Sequence, residues 1–179
     1  MGLKSGASII KTEEQIQAMV EQVADQIFKD YGNEELVIII LLNGGMFFAV
    51  DLSRALERRR TSRSLYIDTM SVSSWPDNRP ANEVRILKDI SYQISGRHVL
   101  VVDEVADTRR TLEKVKSHLW VKKPKSLKIA VAVDKTGENL RPKVRLDYVG
   151  FPELEGYLVG YGMDDRGTGR GLVHIERKI

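Results

Sequence analysis

The sequence predicts an α/β fold, in which a mostly parallel, twisted sheet is flanked by helices. Apolar runs stand at residues 36–42, 99–102 and 127–133, and the first of them shows no alternation of apolar and polar positions. Such runs are typical of strands that are buried on both faces of a parallel sheet. Between them, apolar residues recur at helical spacing, and this alternation of strand and helix along a chain is typical of a parallel sheet.

Length and composition bound the class of protein. The chain has 179 residues, which favours one domain with a real core, and 42% apolar with 30% charged residues is ordinary for a soluble globular protein. A net charge of +3 suits anionic ligands but gives little support for a nucleic-acid partner. The absence of cysteine excludes disulfides, thiolate metal sites and cysteine nucleophiles. With no apolar run of membrane-spanning length and no secretory signal, a cytoplasmic enzyme or binding protein is expected.

The first helix is predicted to begin after Thr12, because Gln15 completes a capping box with it, and to end at Gly32. Residues 36–42 then form the strongest strand, which Asn43, Gly44 and Gly45 terminate before a helix at 46–56. Backbone N–H groups at this strand–glycine–helix junction could hold an anion, although a plain tight turn explains the glycine pair equally well.

Three further features precede the centre of the chain. The arginine cluster at 58–60 and 63 fits a solvated helix end, with a subunit-interface or phosphate-binding role as the alternative. Residues 65–72 form another strand candidate. The polar segment 73–82 contains two prolines and no periodicity, so it is predicted to be a long loop that acts as a lid, followed by a turn-like return at 83–89.

Residues 97–112 organise the chain. A strand at 99–102 is followed by Asp103 and Glu104, then by a polar turn at 107–111, then by a helix with apolar positions at 112, 115 and 119. A helix N-terminus suits a phosphate, and carboxylates bind sugar hydroxyls or Mg²⁺. This pattern predicts a site for a phosphorylated sugar, and a capped surface loop is the alternative.

The last third of the chain adds candidates from a strand end and a polar tail. Lys135 follows the strand at 127–133, at the edge where ligands bind to parallel sheets, although a lysine there is usually only solvated. Short strands are predicted at 147–151 and 157–160. Tyr157 could be a core residue, and Asp164 and Arg170 could be merely solvated in a glycine-rich tail.

Four separated motifs resemble those of purine phosphoribosyltransferases of type I. Residues 99–112, VLVVDEVADTRRTL, resemble the phosphoribosyl-pyrophosphate (PRPP) motif, with Arg109 where most members have glycine. If that turn needs a positive φ, the arginine is strained; otherwise its side chain adds a cation near phosphate. Residues 43–45 resemble a Lys-Gly-Gly loop with Asn43 in the lysine position, and Ser74-Trp75 resembles the Ser-Tyr pair of a mobile lid. Residues 147–170 resemble the hypoxanthine-guanine signature.

The resemblance, over residues 36–175, implies transfer of ribose 5-phosphate from PRPP to a 6-oxopurine (hypoxanthine, guanine or xanthine) in purine salvage. Asp107 would be the general base at purine N7, and Lys135 would donate to the 6-oxo group. Tyr157 would stack on the base, Leu158 would offer backbone groups to its edge, and Asp164 would lie near position 2. The implied PRPP-binding residues are Asn43, Gly44, Gly45, Asp103, Glu104, Ala106, Asp107, Thr108, Arg109, Arg110, Thr111 and Arg170.

The resemblance also implies Mg²⁺ as cofactor, with Asp103, Glu104 and Asp164 as candidate ligands. It implies one phosphoribosyltransferase domain over residues 1–179, with a small hood made from the N-terminal and C-terminal segments, and a homodimer or homotetramer. The alternative function is a regulator on the same fold that binds nucleotide or RNA without turnover.

Overall fold

The computed structural model describes residues 6–73, 84–135 and 144–178. The strands in these ranges are β1 Ala7–Lys11, β2 Leu36–Leu42, β3 Leu65–Ser73, β4 Arg85–Lys88, β5 His98–Ala106, β6 Ser126–Asp134, β7 Tyr148–Phe151, β8 Tyr157–Val159 and β9 Ile175–Lys178. The helices are α1 Glu13–Tyr31, α2 Gly45–Arg59 and α3 Arg110–Trp120. The predicted α/β class is confirmed.

The main sheet has six strands in the order β4-β3-β2-β5-β6-β7. All neighbours pair in parallel except β3 and β4, which are antiparallel. The chain moves from β2 to β3 on one side and then places β5 on the other side of β2. The strand order therefore reverses between β2 and β5, and ligands of open α/β sheets bind in the crevice at such a switch point.

The buried strand β2 explains why its sequence does not alternate. Leu36, Ile38 and Ile40 belong to the core that α1 and α2 cover on one face. Val37, Ile39 and Leu41 belong to a second core on the opposite face, which α3 covers with Leu112, Val115 and Leu119. Because both faces are covered, every position in the strand interior has to be apolar.

A second, smaller sheet joins the two ends of the chain. Its order is β1-β9-β8, and both pairs are antiparallel. The sequence pattern did not predict β1 or β9. Each is short and only partly covered, so neither carries the apolar run that marks the strands of the main sheet.

Two local predictions are wrong in detail. The strand predicted at 99–102 continues to Ala106, because β6 pairs with it as far as Ala106 and Asp134. Asp103 and Glu104 therefore lie inside β5 rather than after it. The turn-like return at 83–89 is instead an antiparallel strand, β4, over its described part.

The arginine cluster fastens α2 to α1. Arg58 and Arg59 donate to Glu21 at 2.5 and 2.7 Å, and Arg59 also donates to Asp25 at 2.8 Å. Arg60 is buried and donates to the carbonyl of Gly32 at 2.7 Å. The prediction of a solvated helix end therefore holds for Arg58 and Arg63, which are exposed, and not for Arg59 and Arg60.

No helix in the described ranges is long and apolar enough to cross a membrane.

The packing of α2 against the sheet generates a stability prediction. Leu52 is fully buried, whereas Val50 on the same helix is 38% exposed. We expect Leu52→Ala to lower the free energy of unfolding by about 2–5 kcal/mol, because it leaves a cavity in the core. Val50→Ala is the matched control and should stay within about 0.5 kcal/mol of the native protein. Urea unfolding measures both, and equal losses would contradict the described packing.

Candidate active site

Two helix N-termini meet at the carboxyl edge of neighbouring strands. α2 begins just after β2, and α3 begins a few residues after β5. In the described part of the chain, neither Gly44 nor Arg109, the residues that precede these helices, supplies a side-chain cap. By contrast, α1 is closed by the predicted capping box of Thr12 and Gln15. The N–H groups of α2 and α3 are therefore available to an anion at this edge.

A cavity of about 950 Å³ opens between these two helix starts. Its lining includes these predicted site residues: Asn43, Gly44, Asp103, Glu104, Ala106, Asp107, Thr108, Arg109, Arg110, Thr111, Asp164 and Arg170. Four other predicted residues, Gly45, Lys135, Tyr157 and Leu158, lie outside that lining. The cavity thus gathers all the PRPP-binding candidates except Gly45, together with Asp164 of the base-binding candidates.

Glu104 is the point where three separated segments meet. A Cβ added to Gly44 would stand 2.0 Å from Glu104 Oε1, so a larger residue at this position would displace the Glu104 carboxylate. A Cβ added to Gly162 would stand 2.3 Å from the carbonyl oxygen of Gly44 and 3.0 Å from Glu104 Cβ. The loop after β2, the end of β5 and the segment after β8 are therefore in direct contact. Sequence reasoning missed Gly162, and its place in the glycine-rich tail was the available signal.

The carboxylates of this site are close to one another and to the guanidinium of Arg170. Burial, together with the neighbouring Glu104 carboxylate, raises the pKa of Asp103 well above its usual range. Arg170 lies 3.8 Å from Glu104 and pairs with Asp164 at 2.6 Å. It also donates to the carbonyl of Gly162 at 2.6 Å. Arg170 thus connects the C-terminal tail to the carboxylate pair.

The turn at residues 107–111, here called the phosphate cradle, precedes and opens α3. Asp107 and Thr108 are exposed at its start, and the Asp107 side chain is 65% exposed. Arg109 has φ 58° and ψ 3°, so the turn does need a positive φ at this position. Its guanidinium pairs with Asp134, a residue that sequence reasoning did not select. The available signal in the sequence was an arginine where glycine is usual. A partly buried arginine is expected to pair with a carboxylate.

The base-binding candidates lie around the end of β6 and on β8. Lys135 Nζ is 3.6 Å from Asp107 Oδ2. Tyr157 is 51% exposed, which rules out a core position, and its hydroxyl donates to Asp165 at 3.2 Å. Leu158 is buried, and its backbone pairs with Arg177 in β9. The predicted lid pair, Ser74 and Trp75, lies outside the described residues.

Two helix N-termini at the switch point of a parallel sheet make a site that suits a phosphorylated ligand. A family model described as the phosphoribosyl transferase domain matches residues 6–166. That match covers most of the chain, and so the chain belongs to the phosphoribosyltransferase family.

Relatives within the family narrow its class. The chain is 34% identical to the hypoxanthine-guanine phosphoribosyltransferase of Aquifex aeolicus, over 93% of this chain and 92% of that protein. It is 31% identical to the hypoxanthine-guanine-xanthine phosphoribosyltransferase of Tritrichomonas foetus, over 92% of this chain and 87% of that protein. The crystal structure of a hypoxanthine-guanine phosphoribosyltransferase from Bacillus anthracis matches with a TM-score of 0.85, 34% identity and full coverage of both chains. The hypoxanthine phosphoribosyltransferase of Trypanosoma cruzi in complex with the product IMP gives a TM-score of 0.87, 31% identity and 100% and 97% coverage. The resemblance drawn from the sequence is confirmed.

The raised pKa of Asp103 predicts a stability that depends on pH. A carboxyl whose pKa is higher in the folded state is destabilising once pH exceeds its unfolded pKa, because the unfolded chain loses the proton more readily. We expect Asp103→Asn to be more stable than the native protein by about 1–3 kcal/mol at about pH 7. The advantage should shrink toward about pH 4, where both states become protonated.

Urea unfolding across this pH range measures the difference. Asp107→Asn is the matched control, because the Asp107 side chain is largely exposed, and it should stay within about 0.5 kcal/mol throughout. A native protein that is more stable than Asp103→Asn at neutral pH would contradict the raised pKa of Asp103.

Proposed function

We propose that this protein transfers ribose 5-phosphate from PRPP to a 6-oxopurine, giving the purine nucleoside monophosphate and pyrophosphate, as a purine-salvage enzyme. The observation that carries this proposal is the convergence, in one cavity, of the phosphate cradle, the carboxylates of Asp103 and Glu104, and Arg170. The names of the relatives support the same reaction. They are named as enzymes, which gives no support to a regulator without turnover.

The cavity suggests how PRPP would lie. The 5-phosphate would be bound by the first N–H groups of α3 and by the hydroxyls of Thr108 and Thr111. The carboxylates of Asp103 and Glu104 would hold the ribose hydroxyls. Pyrophosphate would meet the backbone N–H groups at residues 43–45 and the guanidinium of Arg170. Asn43 is neutral, so this loop would bind the anion through its backbone rather than through a lysine charge.

The donor set fits Mg²⁺. No group of three or more potential ligands comes together in the described part of the chain, so the protein offers the pair Asp103 and Glu104. Mg²⁺ is commonly held by one or two carboxylates together with substrate phosphates. The third predicted ligand, Asp164, is engaged with Arg170 and with the N–H of Gly167. When bound, the cation would offset negative charge on the departing pyrophosphate.

The transfer breaks the bond between ribose C1 and pyrophosphate and forms a bond from C1 to a purine nitrogen. Positive charge develops on the sugar ring and negative charge on pyrophosphate, which Arg170 and the N–H groups at 43–45 would stabilise. Asp107 would accept the proton from purine N7 as the general base. Its exposed carboxylate, 3.6 Å from Lys135 Nζ, supports a position between sugar and base.

Base selection would rest on Lys135 and β8. A lysine ammonium donates to the 6-oxo group and cannot accept a hydrogen bond from the 6-amino group of adenine. The exposed ring of Tyr157 would stack on the base, and backbone groups at Leu158 would meet its edge. Asp164 would lie near position 2, where guanine and xanthine differ. A single domain with a hood, the Ser74-Trp75 lid and a homodimer or homotetramer remain predictions of the resemblance. A cytoplasmic location remains a prediction from composition and the lack of a membrane-length apolar run.

An initial-rate assay tests this function. With PRPP and Mg²⁺, we expect pyrophosphate release with hypoxanthine, guanine or xanthine and none with adenine. Asp107→Asn should lower kcat by about 10²–10⁴-fold, because it removes the base and keeps the shape of the side chain. Glu57→Gln, on an exposed position of α2, is the control and should leave kcat unchanged. No turnover with any purine would contradict the proposed enzymatic function. Full activity in Asp107→Asn would contradict the role of Asp107 as the general base.

A further inference from the structure

Arg109 occupies an unusual backbone position in the phosphate cradle. Its φ of 58° and ψ of 3° lie in the left-handed region, which glycine adopts readily and other residues rarely do. A glycine would therefore fit this turn with less strain. An arginine that is kept at such a position needs a side-chain contact that offsets the strain.

The side chain of Arg109 makes that contact with Asp134 of β6. Its Nη2 donates to both carboxylate oxygens of Asp134, at 3.0 and 2.8 Å. Each of the two side chains is only 15% exposed. One guanidinium nitrogen thus bridges both carboxylate oxygens, and an ion pair this well covered is little screened by salt. The charge of Arg109 is therefore neutralised by Asp134, and it does not serve as a free cation for phosphate.

Asp134 connects the cradle to the base side of the site. It is the last residue of β6 and directly precedes Lys135. The N–H of Lys135 donates to the carbonyl of Ala106 at 2.9 Å, just before the cradle begins. Two links thus join the cradle to the Lys135 segment, one through the main chain at Ala106 and one through the ion pair at Arg109.

We propose that Arg109 and Asp134 are a positioning pair that fixes Lys135 relative to the phosphate cradle. This inference rests on the proposed function, in which the cradle holds the 5-phosphate and Lys135 meets the purine. Asp134 lies outside the cavity lining and the guanidinium of Arg109 is engaged with it, so the pair would act through Lys135. The pair therefore matters for a ligand that spans both halves of the site and not for one that fills the cradle alone.

Calorimetric binding of two ligands separates these cases. Inosine monophosphate carries both a 5-phosphate and a 6-oxopurine, whereas ribose 5-phosphate carries only the former. We expect Arg109→Gly and Asp134→Asn each to raise the Kd of the nucleotide by about tenfold or more, and that of ribose 5-phosphate by less than about threefold. The double variant should bind the nucleotide no worse than the weaker single variant, because both changes remove one interaction. Arg109→Lys should lie in between, since lysine keeps the positive charge but carries it on a flexible stem without the planar guanidinium.

Glu34→Gln is the matched control. Glu34 pairs with Lys125 in an exposed ion pair at the opposite end of the sheet, so this variant should bind both ligands as the native protein does. Thermal melting of every variant shows which are folded, and Asp134→Asn and Arg109→Lys carry the test if Arg109→Gly is not. Equal weakening of both ligands, or a lower Tm with unchanged nucleotide binding, would overturn the proposal.

Steady-state kinetics keep this inference distinct from the proposed function. In an active enzyme, the single variants should raise KM for the base by about tenfold and leave KM for PRPP within about threefold. A rise in KM for PRPP alone would assign Arg109 to the phosphate and overturn the positioning role. A native protein without turnover would contradict the proposed function, and the two-ligand binding experiment would still decide the role of the pair.

Discussion

The close approach of Gly44 to the carboxylate of Glu104 is the constraint on which the site depends. It brings the start of α2 against the end of β5, at the point where the strand order of the sheet reverses. Gly162 packs on the same two groups, and Arg170 reaches the same carboxylate. One crowded contact therefore joins the parallel sheet to the C-terminal tail, and the cavity forms around it.

Electrostatics at this contact favour a ligand that brings positive charge or hydroxyl donors. Asp103 and Glu104 line the cavity next to each other, and Arg170 divides its charge between Glu104 and Asp164. The folded protein thus holds a carboxylate whose ionisation is unfavourable without a partner. Binding sites commonly lower the free energy of unfolding, because their residues are arranged to contact a ligand rather than one another. A sugar that arrives with Mg²⁺ would relieve this repulsion.

The sequence predicted the elements that are buried on both faces, because such elements consist almost entirely of apolar residues. β2 has apolar residues at every position because helices cover both of its faces, and the pattern is visible without any structure. β1 and β9 lack such a signal, since they are stabilised by pairing between the two ends of the chain. The cradle and Arg170 could be predicted from local motifs. The partner of Arg109 could not, because Asp134 lies 25 residues away and is brought near only by the pairing of β5 with β6.

The binding of PRPP to Gly44→Ala would test the central claim most directly. Gly44 has φ −68° and ψ −43°, so alanine is compatible with its backbone, and only the contact with Glu104 opposes the substitution. We predict that a folded Gly44→Ala protein binds PRPP with a Kd raised by about tenfold or more, because Glu104 has to move. Gly171→Ala, where an added Cβ meets no atom within 4 Å, should bind as the native protein does. Native affinity in Gly44→Ala would contradict the account.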